Sequence, residues 1–141
     1  MKVSASSLRK EIRSIWPGVQ FIWMPDKFYI KPKIEEIKEL LSLSEVAKMR
    51  FDGELVDCDD YSLLLNAFMK KYRIDHSEKL TGFNSFHWSF GEAFGTKVNR
   101  VETHHTLNLC IAVEGMFLVE PQTYEVREAS NNNDSILIVK M

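Results

Sequence analysis

The chain has 141 residues, of which 45% are apolar and 27% charged, the balance of one globular domain with its own core. Eighteen basic residues against twenty acidic ones give a net charge of -2, which argues against nucleic acid as a partner because phosphate recognition needs a basic surface. The apolar runs are far shorter than the ~20 residues that span a bilayer, and residues 1–10 lack the apolar stretch of a signal peptide. We therefore expect a cytoplasmic protein without a membrane partner, in which Cys58 and Cys110 are free thiols.

Helical spacing dominates the first half of the chain. A capping serine at position 6 or 7 begins a short helix that Pro17-Gly18 ends, and Pro32 begins a second helix with an acidic first turn. One interrupted strand or two short strands are expected between these helices, at residues 19–24 and 28–30. Further along, apolar residues at spacings of three and four predict a longer helix, about four turns, that begins at Cys58.

The second half of the chain has the pattern of a sheet. Strands are expected at residues 83–94 (one or two strands), 105–113, 116–120 and 136–141. Glu114-Gly115 is expected to turn the chain between the second and third of these segments. Helices followed by strands predict an α+β fold, with N-terminal helices and a central helix packed on an antiparallel sheet in a single domain over residues 1–141.

Cys58 is a candidate nucleophile because it lies where the central helix is expected to begin. Unpaired N–H groups and the positive end of the helix dipole favour a thiolate there. Three neighbouring carboxylates, Asp57, Asp59 and Asp60, oppose ionisation of the thiol by their negative charge. An isolated cysteine is more often a small buried apolar residue, so both interpretations stay open at this point.

A nucleophilic cysteine needs a base and a group that orients the base. His105 opens the clearest strand and Glu120 ends its hairpin partner, but a turn at Glu114-Gly115 would pair residue 109 with Glu120 and leave His105 about 13 Å away. Direct contact then requires a bulge, a longer loop or strong twist. Asn108 and Gln122 are the other polar candidates beside this pairing, and His104 is an alternative base.

Four segments of the sequence together resemble the successive motifs of the agglutinin C-terminal domain family. That family contains the papain-like domain that follows the lectin domain of a mushroom agglutinin, with short relatives in bacteria and phages. The similarity runs from about residue 23 to residue 123. The segments are Asp57-Cys58-Asp59-Asp60-Tyr61, residues 83–95 with Trp88, Ala93 and Gly95, His105-Thr106-Leu107-Asn108, and Leu118-Val119-Glu120-Pro121-Gln122-Thr123.

The resemblance implies a papain-like cysteine protease that acts on a protein or peptide substrate. Carried over by motif, Cys58 is the nucleophile, His105 the base and Glu120 the group that orients it, with Asn108 as the alternative third member. Gln122 or the N–H of Cys58 is expected to stabilise the oxyanion. The resemblance also implies calcium dependence, with Asp57, Asp59 and Asp60 as candidate ligands, because a hard cation binds carboxylate oxygens. The simpler role for Asp57 is to cap the helix.

Three other functions remain open from the sequence. A non-catalytic interaction module of phage or bacterial origin would keep the fold without the chemistry, and a transglutaminase-like acyl transferase would use the same nucleophile and base. Asp57, Asp60 and Glu120 also suggest glycoside hydrolysis, although no spacing selects it. The aromatic residues of 83–94 are expected to be core more than substrate groove, and they are Phe83, Phe86, Trp88, Phe90 and Phe94.

Overall fold

A computed structural model describes residues 1–53, 55–76 and 86–141. Within these ranges the chain is α+β, with three α-helices and eight strands. The helices are α1 (Ala5–Ile15), α2 (Ile34–Leu41) and α3 (Cys58–Asp75), and two short 3-10 turns follow α2 at Ser42–Ser44 and Val46–Lys48. The strands are β1 (Lys2–Ser4), β2 (Phe21–Trp23), β3 (Phe28–Ile30), β4 (Phe90–Val98), β5 (Val101–Ile111), β6 (Met116–Val119), β7 (Val126–Glu128) and β8 (Ser135–Lys140).

Six of the strands form one sheet in the order β2-β8-β4-β5-β6-β7, and β1 pairs with β3 in a separate antiparallel ribbon. The expectation of an antiparallel sheet holds for most of this sheet but is wrong at its edge, where β2 runs parallel to β8. The two strands come from opposite ends of the chain, so no hairpin dictates their direction. The longest pairing, β4 with β5, carries a register shift between Gly95 and Lys97.

Each face of the sheet carries its own apolar core, because alternate residues of a strand point to opposite sides. On β5, Leu107, Leu109 and Ile111 pack on the side of α1, whereas Cys110 lies in the cluster on the side of α2 and α3. The α1 side also contains Leu8, Ile12, Trp16, Tyr29, Leu118 and Val139. The α3 side also contains Ile37, Tyr61, Leu65, Met69, Phe90 and Val119. The central helix is therefore packed on the sheet, as the sequence predicts.

Local hydrogen bonds explain where the helices begin. Ser4, rather than the expected Ser6 or Ser7, caps α1, and its hydroxyl accepts the N–H of Ser7 at 3.1 Å. The helix starts earlier because β1 ends at Ser4 and leaves that residue extended, as an N-cap must be. The start of α3 at Cys58 agrees with the prediction, and the helix runs for 18 residues.

The strand predictions hold in part. Residues 83–85 of the predicted segment 83–94 lie outside the described residues, and the strand there begins at Phe90 and extends to Val98. The segment expected at 105–113 begins earlier, at Val101, and ends at Ile111, because the chain turns at Val113 and Glu114. The segment expected at 116–120 ends at Val119, one residue before Glu120.

A buried ion pair joins the last part of the chain to β7. The guanidinium of Arg127 donates two hydrogen bonds to the carboxylate of Asp134, at 2.8 and 2.5 Å, and Asp134 is fully buried. Burial opposes ionisation of Asp134, but the hydrogen bonds from Arg127 and from the N–H of Asn99 outweigh it and hold the pKa of this carboxyl below its usual value. None of the helices in the described part of the chain is long and apolar enough to cross a membrane.

Candidate active site at the start of the central helix

Cys58 is the first residue of α3, and an acidic capping box fixes the backbone around it. Asp57 is the N-cap, with extended backbone angles, and its N–H donates to the carboxylate of Asp60 at 3.1 Å. A capping box satisfies N–H groups that a helix start otherwise leaves unpaired. The role of Asp57 as a helix cap is therefore confirmed. Cys58 is a free, half-buried thiol, so a reagent of small size has access to it.

The three aspartates lie close enough together to share one cation. Their nearest carboxylate oxygens all lie within 4.8 Å of one another. Interaction between the carboxyl groups of Asp57 and Asp59 lowers the pKa of Asp57 and raises the pKa of Asp59. Among the described residues, Oδ1 of Asp57 is shielded and accepts no hydrogen bond, although the group as a whole is near the surface.

The three carboxylates are the type of ligand that a hard cation prefers, but they supply fewer oxygens than a full coordination shell contains. Carboxylate oxygens are the ligands that calcium prefers, and an oxygen without a hydrogen-bond partner among three clustered carboxylates is a point where positive charge is favourable. Calcium takes six to eight oxygens, so water molecules or carbonyl groups would have to complete the shell around Asp57, Asp59 and Asp60.

His105 and Glu120 are in contact. Nε2 of His105 lies 2.6 Å from Oε2 of Glu120, and the two side chains are 21% and 23% exposed. The pairing register predicted from the sequence is wrong by two residues, because the hairpin turns at Val113 and Glu114 instead of Glu114-Gly115. Ile111 therefore pairs with Met116, and Asn108 pairs with Val119. If this register is extended by one residue, Glu120 lies opposite Leu107, which is two positions from His105. Side chains diagonal to each other on one face of a sheet are within reach of one another.

The segment after β6 holds Glu120 in place. Its second carboxylate oxygen accepts the backbone N–H of Gln122 at 3.2 Å, and its own N–H donates to the carbonyl of Glu125 at 2.9 Å. The carbonyl of Glu120 accepts the N–H of Tyr124 at 2.7 Å, in a turn where Tyr124 has a positive φ of 63°. The sequence Glu-Pro-Gln thus forms a tight loop that positions the carboxylate. Gln122 contributes its backbone to this loop.

Asn108 does not contact His105, so the structure does not support it as the group that holds the imidazole. Its amide donates to the carbonyls of Ser62 at 2.9 Å and Gly91 at 3.0 Å, and the side chain is fully buried. Strand alternation explains the difference, since Asn108 is three residues from His105 and points to the side of α3. Because Ser62 is one turn after Cys58, Asn108 ties β5 to the first part of the helix.

His104 and Cys58 complete the geometry of the region. The ring of His104 lies 5.8 Å from the ring of Phe94. Phe94 and Glu92 lie on the same face of β4, and the carboxylate of Glu92 accepts a hydrogen bond from Asn66 of α3. His104 is exposed. Strand alternation places His104 on the α3 face of the sheet and His105 on the α1 face, with Leu107. Among the described residues the thiol of Cys58 makes no hydrogen bond, so the structure shows a His105–Glu120 dyad and a separate cysteine.

Comparison with known proteins gives a fold neighbour and no family assignment. No protein-family model matches the chain, and no curated protein matches it. Among solved structures, the PSL1a-E64 complex matches 99% of this chain with a TM-score of 0.81 and 16% identity. A second match is Polyporus squamosus lectin bound to the human-type influenza-binding epitope Neu5Aca2-6Galb1-4GlcNAc, with a TM-score of 0.77 and 16% identity over 99% of this chain.

These matches show the fold. The chain spans about half of each neighbour, 50% of the first and 49% of the second. The family, the protease activity and the calcium dependence that the sequence resemblance implies remain predictions.

Proposed function

We propose that the chain is a papain-like thiol hydrolase that cleaves an acyl bond in a protein or peptide, with Cys58 as nucleophile, His105 as base and Glu120 as the residue that orients His105. The observation that carries this proposal is the 2.6 Å contact between His105 Nε2 and Glu120 Oε2. A carboxylate that holds one nitrogen of an imidazole fixes its orientation and stabilises the imidazolium form, as base catalysis requires. With Nε2 engaged by Glu120, Nδ1 is the nitrogen left to take a proton from Cys58. This transfer requires the His105 side chain, which shares the α1 face of the sheet with Leu107, to turn toward the start of α3.

The proposed reaction has two steps. In the first, the thiolate of Cys58 attacks the carbonyl carbon, a C–S bond forms, and the imidazolium of His105 gives its proton to the leaving amine as the C–N bond breaks. In the second, His105 takes a proton from water, the hydroxide oxygen attacks the thioester, and the thiolate leaves. Because Cys58 is the first helical residue, its N–H lacks a partner within the helix and is the natural donor to the oxyanion, with the Gln122 side chain as a second candidate.

We extend this proposal to a hard cation, such as calcium, bound by Asp57, Asp59 and Asp60. When bound, the cation supplies positive charge beside Cys58, which offsets the carboxylates that oppose a thiolate. The three carboxylates would hold it through their oxygens, which lie within 4.8 Å of one another.

A non-catalytic binding module is the second candidate, and the lack of a hydrogen bond on the Cys58 thiol among the described residues favours it. One solved neighbour is bound to a sialylated trisaccharide, so a carbohydrate is the ligand class to test first for this alternative. A transglutaminase-like transferase would share the acylation step and differ only in the acceptor, an amine in place of water. Adding a primary amine to the reaction and weighing the products separates the two enzymes.

The proposal is tested by covalent labelling of Cys58. Iodoacetamide, and E64 whose epoxide alkylates thiolates, are reacted with the protein across pH 4–9, with calcium and with chelator, and adducts are located by mass spectrometry. Cys110 is an internal control, since burial raises the pKa of its thiol and it is fully buried. We expect Cys58 to react at lower pH than a free-cysteine peptide and to lose this advantage in His105→Ala. If Cys58 reacts over the same pH range as the free-cysteine peptide in every variant, the catalytic interpretation is wrong.

A further inference from the structure

A cavity lies far from Cys58, at the other end of α3. Its volume is about 440 Å³, within the usual size range of small-molecule sites. Tyr72 on its wall is fourteen residues after Cys58, which places it about 21 Å further along the helix axis. None of Cys58, His105 and Glu120 lines it.

Three nearly parallel aromatic rings form one wall of this cavity. The ring of Tyr72 stacks on His76 at 3.9 Å between centroids and on Trp88 at 6.3 Å, each with an angle of 19° between planes. The backbone holds these rings in place, because the carbonyl of Tyr72 lies 2.8 Å from Nδ1 of His76 and hydrogen bonds from Ile30 and Ser89 flank Trp88. The outer face of such a fixed stack suits a flat ring, since stacking on it costs little ordering.

The lining of the cavity also carries positive charge. Lys31, Lys33 and Arg73 line the cavity, against one carboxylate, that of Glu36. Lys31 is paired with Glu11 at 2.8 Å, and Arg73 donates to the carbonyl of Phe86 and lies 5.5 Å from the centroid of the Trp88 ring, so both cations are held in position. Lys33 is exposed and precedes the first turn of α2, so the positive end of that helix adds to its charge.

We propose that this cavity binds a small planar aromatic anion, with its ring against the stack formed by Tyr72, His76 and Trp88 and its acid group toward Lys33. The aromatic wall selects a flat ring, and the excess of cations over Glu36 selects a negative charge. This inference does not rest on the proposed thiol chemistry. The rigid length of α3 separates the two sites, so ligand in this cavity leaves Cys58 open to reagent.

The test uses 1-anilinonaphthalene-8-sulfonate as the probe, with the uncharged N-phenyl-1-naphthylamine as its matched neutral analogue. Binding is measured by fluorescence titration for the wild type, Lys33→Gln, His76→Ala and the control Lys10→Gln, which changes an exposed lysine on α1. Near-UV circular dichroism is recorded for each variant, because the probe also binds loosely packed states.

We expect one probe per chain, bound about fivefold more weakly by Lys33→Gln and about tenfold more weakly by His76→Ala, with Lys10→Gln unchanged. The neutral analogue should bind at least about fivefold more weakly than the sulfonate. Equal affinity for the two probes, equal effects of the two lysine changes, or no saturable binding to the folded protein would each overturn the proposal. Cysteine labelling is scored separately, so failure here leaves the thiol hydrolase proposal standing.

Discussion

Glu120→Gln isolates the charge of the proposed dyad from its shape. The amide keeps the size of the carboxylate and keeps an oxygen for the N–H of Gln122. It removes the negative charge 2.6 Å from His105, where both side chains are only about one-fifth exposed (21% and 23%) and solvent screens the pair weakly. A hydrogen bond to a charged group contributes about 1.5–3 kcal/mol and a neutral one about 0.5–1.5, so the loss is about 1–1.5 kcal/mol. We expect alkylation of Cys58 to slow about five- to tenfold, since 1.36 kcal/mol is a factor of ten.

The assay is the second-order rate of iodoacetamide reaction with Cys58 at pH 6, read by mass spectrometry. Glu125→Gln is the matched control, because Glu125 is an exposed carboxylate in the same loop. His104→Ala is measured alongside His105→Ala, since His104 is the alternative base. Equal rates for Glu120→Gln and Glu125→Gln would refute the role of Glu120, and a larger loss in His104→Ala than in His105→Ala would transfer the base to His104.

Three further predictions concern stability and cation binding. Asn108→Ala removes two buried hydrogen bonds and should lower the free energy of unfolding by about 2–4 kcal/mol in urea titration, and a change below about 0.5 kcal/mol would contradict the tie it forms. Asp134→Asn leaves the half-buried Arg127 without its counter-charge and should lower the free energy of unfolding by about 3 kcal/mol. Because the folded-state pKa of Asp134 is lowered, the stabilisation it gives is present above its unfolded value, about 3.9, and is lost as pH falls through the folded value. Asp134→Asn should therefore flatten the acid limb of the stability profile, and an unchanged limb would count against the pair. Asp59→Asn should abolish any calcium enhancement of Cys58 labelling, and an intact enhancement would place the cation elsewhere.

The sequence predicts the helical part of the site well because the signals are local. The start of α3 follows from a capping residue and apolar spacing within a few positions, and the close approach of Asp57, Asp59 and Asp60 follows from their place in one helical turn. Local sequence is therefore enough to place Cys58 and its neighbouring carboxylates at the start of a helix.

The sheet is predicted less well because its pairings depend on distant parts of the chain. The strands β1 and β7 are three residues each and carry no alternation long enough to detect, and β1 forms only through β3. The parallel pairing of β2 with β8 joins residues 21–23 to 138–140, which no local pattern encodes.

The His105–Glu120 contact shows how one residue in a turn changes a prediction about a site. Glycine is a common turn residue, so Glu114-Gly115 is the natural choice from sequence. In the structure Gly115, with a φ of 149°, follows the turn, and its carbonyl accepts the N–H of Ala112 at 2.8 Å. That shift of one residue in the turn moves the register by two and brings Glu120 to His105.

The central claim, that Cys58 carries an acyl group during turnover, is tested most directly by trapping that group. The protein is mixed with p-nitrophenyl acetate, release of p-nitrophenolate is followed by absorbance, and the quenched protein is mapped by mass spectrometry. We predict a stoichiometric burst, an acetyl group on Cys58, and loss of the burst in Cys58→Ala and His105→Ala. Acetylation confined to lysines, or a burst that survives Cys58→Ala, would contradict the claim.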